Sequence, residues 1–575
     1  MRDCCIRIGG EAGQGLRSVG QLLSKALHAE GYQLFSNQDY ESRIRGGHNF
    51  YNIRFGPDPI VAPAPRVDIL IALDRETTAR HMEALNPNGV VIYDPDIKGI
   101  GCDDPHRCFP VPFTEIASRH GNKIMANTVA VAAVWGVLGK DLSLINRLLE
   151  DTFADKGDKV IQANIAAAKE GYAQGQAIPQ GRFTIPETQG TSTGQILVSG
   201  NTAIAIGAIA AGLKFMSAYP MSPSTSITEY VATKGEEFGI HMEQAEDEIA
   251  AVVMAIGASY AGLRSMTATS GGGLALMGEA VSMAGMNETP VVIIDAQRPG
   301  PATGLPTRTA QEDLNFAIHL GHGEFPKIVL APGTHEQAFA ITAEAFNLAD
   351  VYQCPVIVLT DQHLADAQRT IPAFDFDSVT IDRGQLVTSD EEAGYPNYRR
   401  YRVTESGISD RFIPGFGKSL VVYCTDEHDE EGHLIEDAET RNAQNAKRNR
   451  KLELARKAMP SPEIYGDATA ELALVCWGTT YGAVKEAVDL LNARGTKAKM
   501  IHWTHVWPLN PDTVTAAVAG VSQLIVVEQN YTGQFARLLR AEAGVECTDK
   551  ILRSDGRPFT AVDILDRLSE IRGEK

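Results

Sequence analysis

"EDEIAAVVMAIGASYAGLRSMTATSGGGLALMGEA", residues 246–280, holds the pattern that decides the fold. Three acids, Glu246, Asp247 and Glu248, precede a run that is apolar on nearly every helical face. Acids in a first turn complement the helix dipole. A helix this apolar is also buried, and it can carry a carboxylate inward, where the group needs a hydrogen-bond partner or a raised pKa. "SMTATS" then reads as a strand, ending in Thr269-Ser270-Gly271-Gly272-Gly273 before another helix opens. Helix, strand, glycine turn and helix in succession form the unit of a doubly wound α/β domain. Ligands bind such domains at the carboxyl ends of the strands.

The same alternation extends in both directions. "CCIRIGG", "VDILIALD", "GVVIYD", "FMSAYP", "PVVIIDA", "CPVIVLTD", "LALVCWG", "AKMIHW" and "QLIVVEQN" each read as a buried parallel strand. The predicted organisation is an α/β domain over 1–178, a Gly/Pro/Thr-rich linker over 179–196 and a second α/β domain over 197–380. An irregular segment over 381–465 and a third α/β domain over 466–575 follow. The irregular segment includes a charged block, "DEHDEEGHLIEDAETRNAQNAKRNRKLELARK", expected to be a solvated helix with its loop.

Composition narrows the function classes. The chain has 575 residues, 44% hydrophobic and 22% charged, with a net charge of −20. That balance suits large buried cores and argues against nucleic acid as the main partner. No run reaches the ~20 apolar residues a membrane helix needs, and the start "MRDCCIRIGGEAGQG" is unlike a signal peptide. The eight cysteines contain no C-x-x-C pair and are badly spaced for an iron–sulfur cluster or a structural zinc. The expectation is a cytoplasmic protein with reduced thiols and no metal site of its own. Any redox centre then belongs to another chain.

Several stretches could carry chemistry. "IRIGGEAGQGLRSVGQLL" runs a strand into Gly9, Gly10, Gly13 and Gly15 ahead of a helix, a place where backbone N–H groups approach an anion. Its spacing is neither the dinucleotide fingerprint nor a Walker loop. "RIRGGH" sets Arg43, Arg45 and His48 around Gly46-Gly47, where a guanidinium can clamp a carboxylate; a surface hairpin is the plain alternative. "SAYPMSPSTSITEY" (217–230) joins a strand to a helix, with Ser222 expected as the N-cap and Pro223 as the first helical residue. "DAQRPGPATGLPTRTAQEDL" delivers Arg298 into a rigid loop bearing Thr303 and Thr307, suited to a carboxylate or ketone oxygen.

In this order, "YPMSPSTSI", "EDEIAAVVMAIGASYAG", "TATSGGGLALMGEA" and "DAQRPGPATGLPTRTAQEDL" resemble the α subunit of 2-oxoacid:ferredoxin oxidoreductases. "IGGEAGQG" and "RIRGGH" resemble the γ domain of the same enzymes, fused ahead of α. "EQNYTGQFARLLR" and "DGRPFTAVDI" resemble their transketolase-C-like domain. The resemblance implies a pyrimidine-type thiamine-diphosphate-binding fold and a defined chemistry. A 2-oxoacid is decarboxylated on thiamine diphosphate, electrons pass through a [4Fe-4S] cluster to ferredoxin, and the acyl group goes to coenzyme A. The G-D-G…N motif that holds Mg2+ and the diphosphate is missing from this chain, as are the cluster cysteines. Both are implied to lie on a partner β subunit, in an (αβ)2 assembly.

Carried over by motif, Glu248 matches the cofactor-activating acid, with Glu246 as the fallback. Ser222, Arg298, Thr307 and Arg45 match substrate-side positions. Tyr219, Pro220, Ser270, Gly271, Gly13 and Gly15 match cofactor-side positions. Ser222 stands where the family usually has Thr, which keeps the hydroxyl and loses a methyl. With Arg298 for one carboxylate and Arg45 for a second, the implied substrate is 2-oxoglutarate, giving succinyl-CoA and CO2 or running in reverse for carbon fixation. The alternatives are pyruvate or a branched-chain 2-oxoacid, a non-redox thiamine carboligase, and a non-catalytic CoA-binding protein.

Overall fold

The computed structural model describes residues 3–43, 46–102, 104–179, 181, 185–188, 190, 192–387 and 397–574. The chain divides into two compact units, residues 1–198 with 367–373, and residues 199–366 with 374–575. Among the described residues no helix is long and apolar enough to cross a membrane.

The first unit is built on one sheet. Its strands run in the order Cys108–Pro110, Leu85–Tyr93, Val67–Ala72, Cys4–Ala12, Gly46–Gly56, Gln33–Asp39, Gln368–Pro372 and Gln195–Ser199. The first four are parallel, as the apolar runs predict. Cys4–Ala12 then pairs antiparallel with Gly46–Gly56, which pairs antiparallel with Gln33–Asp39. Gly46 to His48 of the "RIRGGH" stretch thus open the second strand of an antiparallel hairpin with Gln33–Asp39, with Arg43 in the connection ahead of it, as the plain alternative has it. Arg43 is exposed and paired with Glu41 at 2.9 Å; Arg45 lies outside the described residues.

Below this strand Arg7 donates through Nη1 to His81 Nδ1 at 3.1 Å. Arginine can only donate, so the His81 proton is on Nε2, which donates to His48 Nε2 at 2.8 Å. That leaves the His48 proton on Nδ1, 3.6 Å from Asp74 Oδ2. Burial, with Arg7 beside it, holds the His81 pKa down to about 3.

One sequence expectation fails in this unit. Cys102 and Cys108 are joined in a disulfide, so the thiols are not all reduced. The turn between them brings their Cα atoms to 5.8 Å, inside the range a disulfide spans.

Among the described residues the second unit holds a two-stranded sheet, Leu386–Val387 with Arg411–Phe412, and two large sheets. The larger runs His505–Trp507, Ile328–Leu330, Pro355–Asp361, Val291–Gln297, Ser265–Thr269, Phe215–Ala218 and His241–Gln244, parallel apart from the first strand. The smaller runs Glu463–Gly466, Ala498–Trp503, Leu472–Trp477, Gln523–Glu528 and Asp549–Leu552. The two share a core in which Trp477, Trp503 and Phe535 meet Leu314, Ala317 and Ile293. The fold is therefore α/β in both units; the parallel strands read from the sequence form the body of each large sheet, with antiparallel strands added to each.

The charged block departs from expectation. Its helix, Ala438–Ala458, is not solvated along one face: Gln444, Lys447, Arg448 and Lys451 are buried. Lys447 reaches Glu288 at 2.5 Å, Lys451 ion-pairs with the same carboxylate, and Arg400 donates to the Glu288 carbonyl at 2.8 Å. Burial alone would raise the Glu288 pKa, but the two ammonium groups outweigh it and bring it down. A periodicity argument misses this, because the helix faces a buried acid instead of an apolar surface.

Two tests follow from these buried charges. Removing one partner of a buried ion pair costs about 3–5 kcal/mol, so Glu288→Gln is expected to destabilise the chain by that order in denaturant unfolding; a shift under about 0.5 kcal/mol rejects the role. At His81 the unfolded chain takes a proton below about pH 6.5, which the folded chain refuses until about pH 3. Stability is then complete above pH 6.5 and falls as pH drops below it. His81→Gln should reduce the loss of melting temperature between pH 7 and pH 5; equal acid sensitivity in both proteins removes His81 as its source.

Candidate active site

The carboxyl ends of Phe215–Ala218, Ser265–Thr269 and Val291–Gln297 lie side by side in the larger sheet, and each opens into a segment singled out by the sequence. Glu248 begins the helix Glu248–Tyr260. Asp247 is its N-cap and accepts from the Ala250 N–H at 2.8 Å, so capping does not use Glu248. The Glu248 side chain is 4% exposed, and its Oε1 has no hydrogen-bond partner among the described residues. Glu246, two residues earlier, is exposed. Glu248 fits inside because residue 273 is glycine: a Cβ there would lie 2.7 Å from both Cγ and Oε1 of Glu248.

Residues 219–224 form the next wall. The helix expected to start at Pro223 starts at Thr225, with Ser224 at the N-cap position. The reason is that the carbonyls of the expected first turn are already engaged. Arg298 Nη1 donates to the Ser222 carbonyl at 2.8 Å, and Asn201 Nδ2 donates to the Pro223 carbonyl at 2.8 Å. Ser222 does not cap the helix, and the residue is exposed, as are Tyr219 and Pro220. Ser270 is buried and points its hydroxyl at Met221 Sδ, 3.3 Å away. Gly271 follows as the first residue of the short helix Gly271–Leu276.

Arg298 leaves the strand Val291–Gln297 half-buried, with Nε lacking a partner. Burial lowers its pKa, and Asp295 and Asp313 act against that. Thr307 is buried in the same loop. The loop is fastened by residues that sequence reading did not assign to the site. Gln311 donates its backbone N–H to the Gln529 carbonyl at 2.8 Å and accepts from the Gln529 N–H through Oε1 at 3.0 Å. Its Nε2 donates to the Trp477 carbonyl at 2.7 Å, and its carbonyl accepts from Asn530 Nδ2 at 3.0 Å. Glu528 anchors the far side, accepting from the N–H groups of Phe535 and Ala536 at 2.9 and 3.1 Å and from Asn530 at 2.8 Å. The available signal was an acid closing an apolar strand, in "LIVVEQN".

Thus Glu248, Ser222, Arg298, Thr307, Tyr219, Pro220, Ser270 and Gly271 belong to the second unit. Gly13 and Gly15 belong to the first, in the turn between Cys4–Ala12 and the helix Leu16–Ala29, both with left-handed backbone (φ 93° and 76°). A side chain at Gly15 would also run into the Asn127 amide. Among the described residues no three His, Cys, Asp or Glu side chains are grouped to hold a metal ion. Apolar side chains stand exposed around the site: Ile249 and Val253 on the Glu248 helix, Leu276 after Ser270, Leu305 in the Arg298 loop and Tyr531 beside Asn530.

Three family models match the chain. Residues 5–174 match pyruvate ferredoxin/flavodoxin oxidoreductase, residues 206–447 match the thiamine diphosphate-binding domain of pyruvate flavodoxin/ferredoxin oxidoreductase, and residues 470–564 match core domain II of pyruvate:ferredoxin oxidoreductase. The chain is 33% identical to a 2-oxoacid:ferredoxin oxidoreductase subunit alpha from Sulfolobus sp., over 99% of this chain and 97% of the relative. It is 27% identical to the 2-oxoglutarate oxidoreductase subunit KorA of Mycobacterium tuberculosis, over 100% of this chain and 94% of the relative. Its fold superposes on 2-oxoglutarate:ferredoxin oxidoreductase from Magnetococcus marinus, a structure with 2-oxoglutarate, coenzyme A and succinyl-CoA bound. The TM-score is 0.91 at 33% identity, covering 99% of both chains. With full-length relatives at this identity, the chain belongs to the 2-oxoacid:ferredoxin oxidoreductases as an α-type subunit of the enzyme.

Proposed function

We propose that this chain supplies the cofactor-activating acid and the substrate-carboxylate site of a CoA-acylating 2-oxoglutarate:ferredoxin oxidoreductase. The observation that carries the reading is Glu248: a buried carboxyl at a helix start, set against Gly273, with one oxygen left unpartnered. Buried polar atoms are nearly always hydrogen-bonded, so an orphan oxygen facing a ligand edge fits a group that is supplied by a ligand. Thiamine diphosphate meets that demand through its aminopyrimidine ring, and when bound it supplies the carbanion that attacks the 2-oxoacid ketone. Glu248 would hold a proton toward the ring nitrogen. Arg298 would grip the carboxylate next to the ketone, steadied through Nη1 by the Ser222 carbonyl. The Ser222 and Thr307 hydroxyls would orient the substrate.

The diphosphate and its Mg2+, and the [4Fe-4S] cluster that passes electrons to ferredoxin, are assigned to a β partner. The exposed apolar residues flanking Glu248 and Arg298 support a second chain closing the site. An (αβ)2 assembly in the cytoplasm, using coenzyme A as acyl acceptor, completes the reading. The preference for 2-oxoglutarate is supported by the names of the Mycobacterium tuberculosis relative and the Magnetococcus marinus structure. It also draws on Arg45 as the second cation.

In the complex co-expressed with its β partner, Glu248→Gln should lower CoA-dependent viologen reduction by at least about 100-fold while the complex still assembles on gel filtration. Near-normal turnover moves the role to Glu246. Across a panel of 2-oxoacids, Arg45→Ala should raise KM for 2-oxoglutarate by about tenfold or more and leave 2-oxobutyrate nearly unchanged. Equal effects on both substrates remove Arg45 from specificity, and a wild-type preference for pyruvate rejects the diacid.

A further inference from the structure

We propose that Asp295 and Asp313 form a one-proton carboxyl pair that balances the charge of Arg298, so that a 2-oxoacid carboxylate docking on Arg298 draws one proton into the pair. The inference rests on the reading of Arg298 as the carboxylate site and adds two charge-balancing residues behind it.

Asp295 sits in the strand Val291–Gln297, in register with Thr269 on one side and Leu359 on the other. It is 0% exposed, and neither of its carboxyl oxygens has a hydrogen-bond partner among the described residues. Asp313 is tied to the same strand, since its N–H donates to Gln297 Oε1 at 3.1 Å. Its Oδ2 is buried and likewise unpartnered, and a Cβ at Gly271 would lie 2.8 Å from its carboxyl carbon. The pair therefore lies behind the Ser270–Gly271 turn. Arg298 makes no ion pair within 4 Å among the described residues; it holds a neutral carbonyl through Nη1 and leaves Nε free.

Two carboxyls in a dry interior cannot both ionise cheaply. Burial and the like charge of Asp313 push Asp295 up, against the pull of Arg298. Burial, with Glu312 beside it, pushes Asp313 to about 6. The other nearby groups do not supply a positive charge. Glu312 is engaged by the Gly300 N–H at 2.9 Å, and Glu248 lies across Gly273. Asp361, on the neighbouring strand, accepts from Thr479 and from the Leu364 N–H. No lysine or histidine is among the groups whose charge acts on the pair.

The balance is then simple. Without substrate, one proton on the pair leaves a single negative charge beside the Arg298 cation. A substrate carboxylate adds a second negative charge. One proton from solvent then forms an O–H bond on the ionised member, and the group returns to neutrality. No electron moves and no other bond changes.

Two measurements on the complex with its β partner test this. Above the titration of the pair, KM for 2-oxoglutarate should rise about tenfold per pH unit in the wild type, because binding must import a proton. In D313N or D295N the remaining carboxyl can still take the proton, so the slope should persist; in the double variant D295N/D313N no acceptor is left and the slope should flatten, whereas a purely structural defect would change KM and kcat without changing the slope. Calorimetric titration with 2-hydroxyglutarate, which has both carboxylates and no ketone, should give uptake of about one proton per site at pH 7.5 when phosphate and Tris buffers are compared. Arg298-dependent binding with zero uptake, or a slope that persists in D295N/D313N, overturns the pair. Binding that survives R298Q, or no binding by the wild type, removes the Arg298 reading and the pair with it. The wild-type proton count decides even if none of the Asp variants assembles.

Discussion

The position of Arg298 depends on an anchor thirteen residues further along the same loop, Gln311, whose backbone and side chain are all engaged by Gln529, Trp477 and Asn530. A loop rich in proline and glycine has no ladder of its own to hold it. The small C-terminal sheet supplies the missing partners, and Gln534 extends the clasp by accepting from the Asn315 N–H at 2.8 Å and donating to the Glu312 carbonyl at 2.6 Å. Each buried amide left unpaired would cost about 1–3 kcal/mol, so loop and sheet hold one another in a single arrangement. Positioning matters because a displacement of about 1 Å at a reacting centre can cost 100-fold in rate. On the proposed reading of Arg298, the C-terminal sheet would bear on chemistry through the residues it fastens.

Among the described residues several buried acids are met by cations. Glu288 has Lys447 and Lys451, and Asp350 receives Arg264 at 2.9 Å and Arg411 at 2.9 Å. Glu427 is likewise met by Arg448 at 2.7 Å. Those at the strand ends are not paired. Glu248, Asp295, Asp313 and Arg298 each keep a buried polar atom without a partner. The folded interior tolerates unpaired polar groups poorly, and their concentration in one place distinguishes a site prepared for a ligand from a core held by ion pairs.

Much of this was legible from residue order. Strands such as "PVVIIDA" and "LALVCWG" are apolar over their full length because helices cover both faces, and they lie where the runs place them. Three acids at the head of an apolar helix marked the place; the family resemblance chose Glu248 with Glu246 as fallback, and the structure buries Glu248 and leaves Glu246 exposed. Other features depend on partners remote in sequence. Ser222 has the chemistry of an N-cap, yet Arg298 and Asn201 occupy the carbonyls that a helix would use there. Lys447 and Lys451 read as solvated until Glu288 is seen facing them. Gln368–Pro372 joins the first unit's sheet from far along the chain, pairing with Gln33–Asp39, and Cys102 meets Cys108 only because a turn closes between them.

Residue order by itself determined the α/β class, the run of parallel strands, a cluster of acids at the head of a buried helix and the presence of Arg298 at a strand's end. These follow from local hydrophobic pattern, which is written in consecutive residues. Tertiary structure alone decided which polar groups find partners: the clasp on Gln311, the lysines on Glu288, and the carboxyl oxygens of Asp295 and Asp313 that have no hydrogen-bond partner among the described residues. Hydrogen bonds and ion pairs are short-ranged and directional, so their making depends on neighbours in space that no local stretch of sequence specifies.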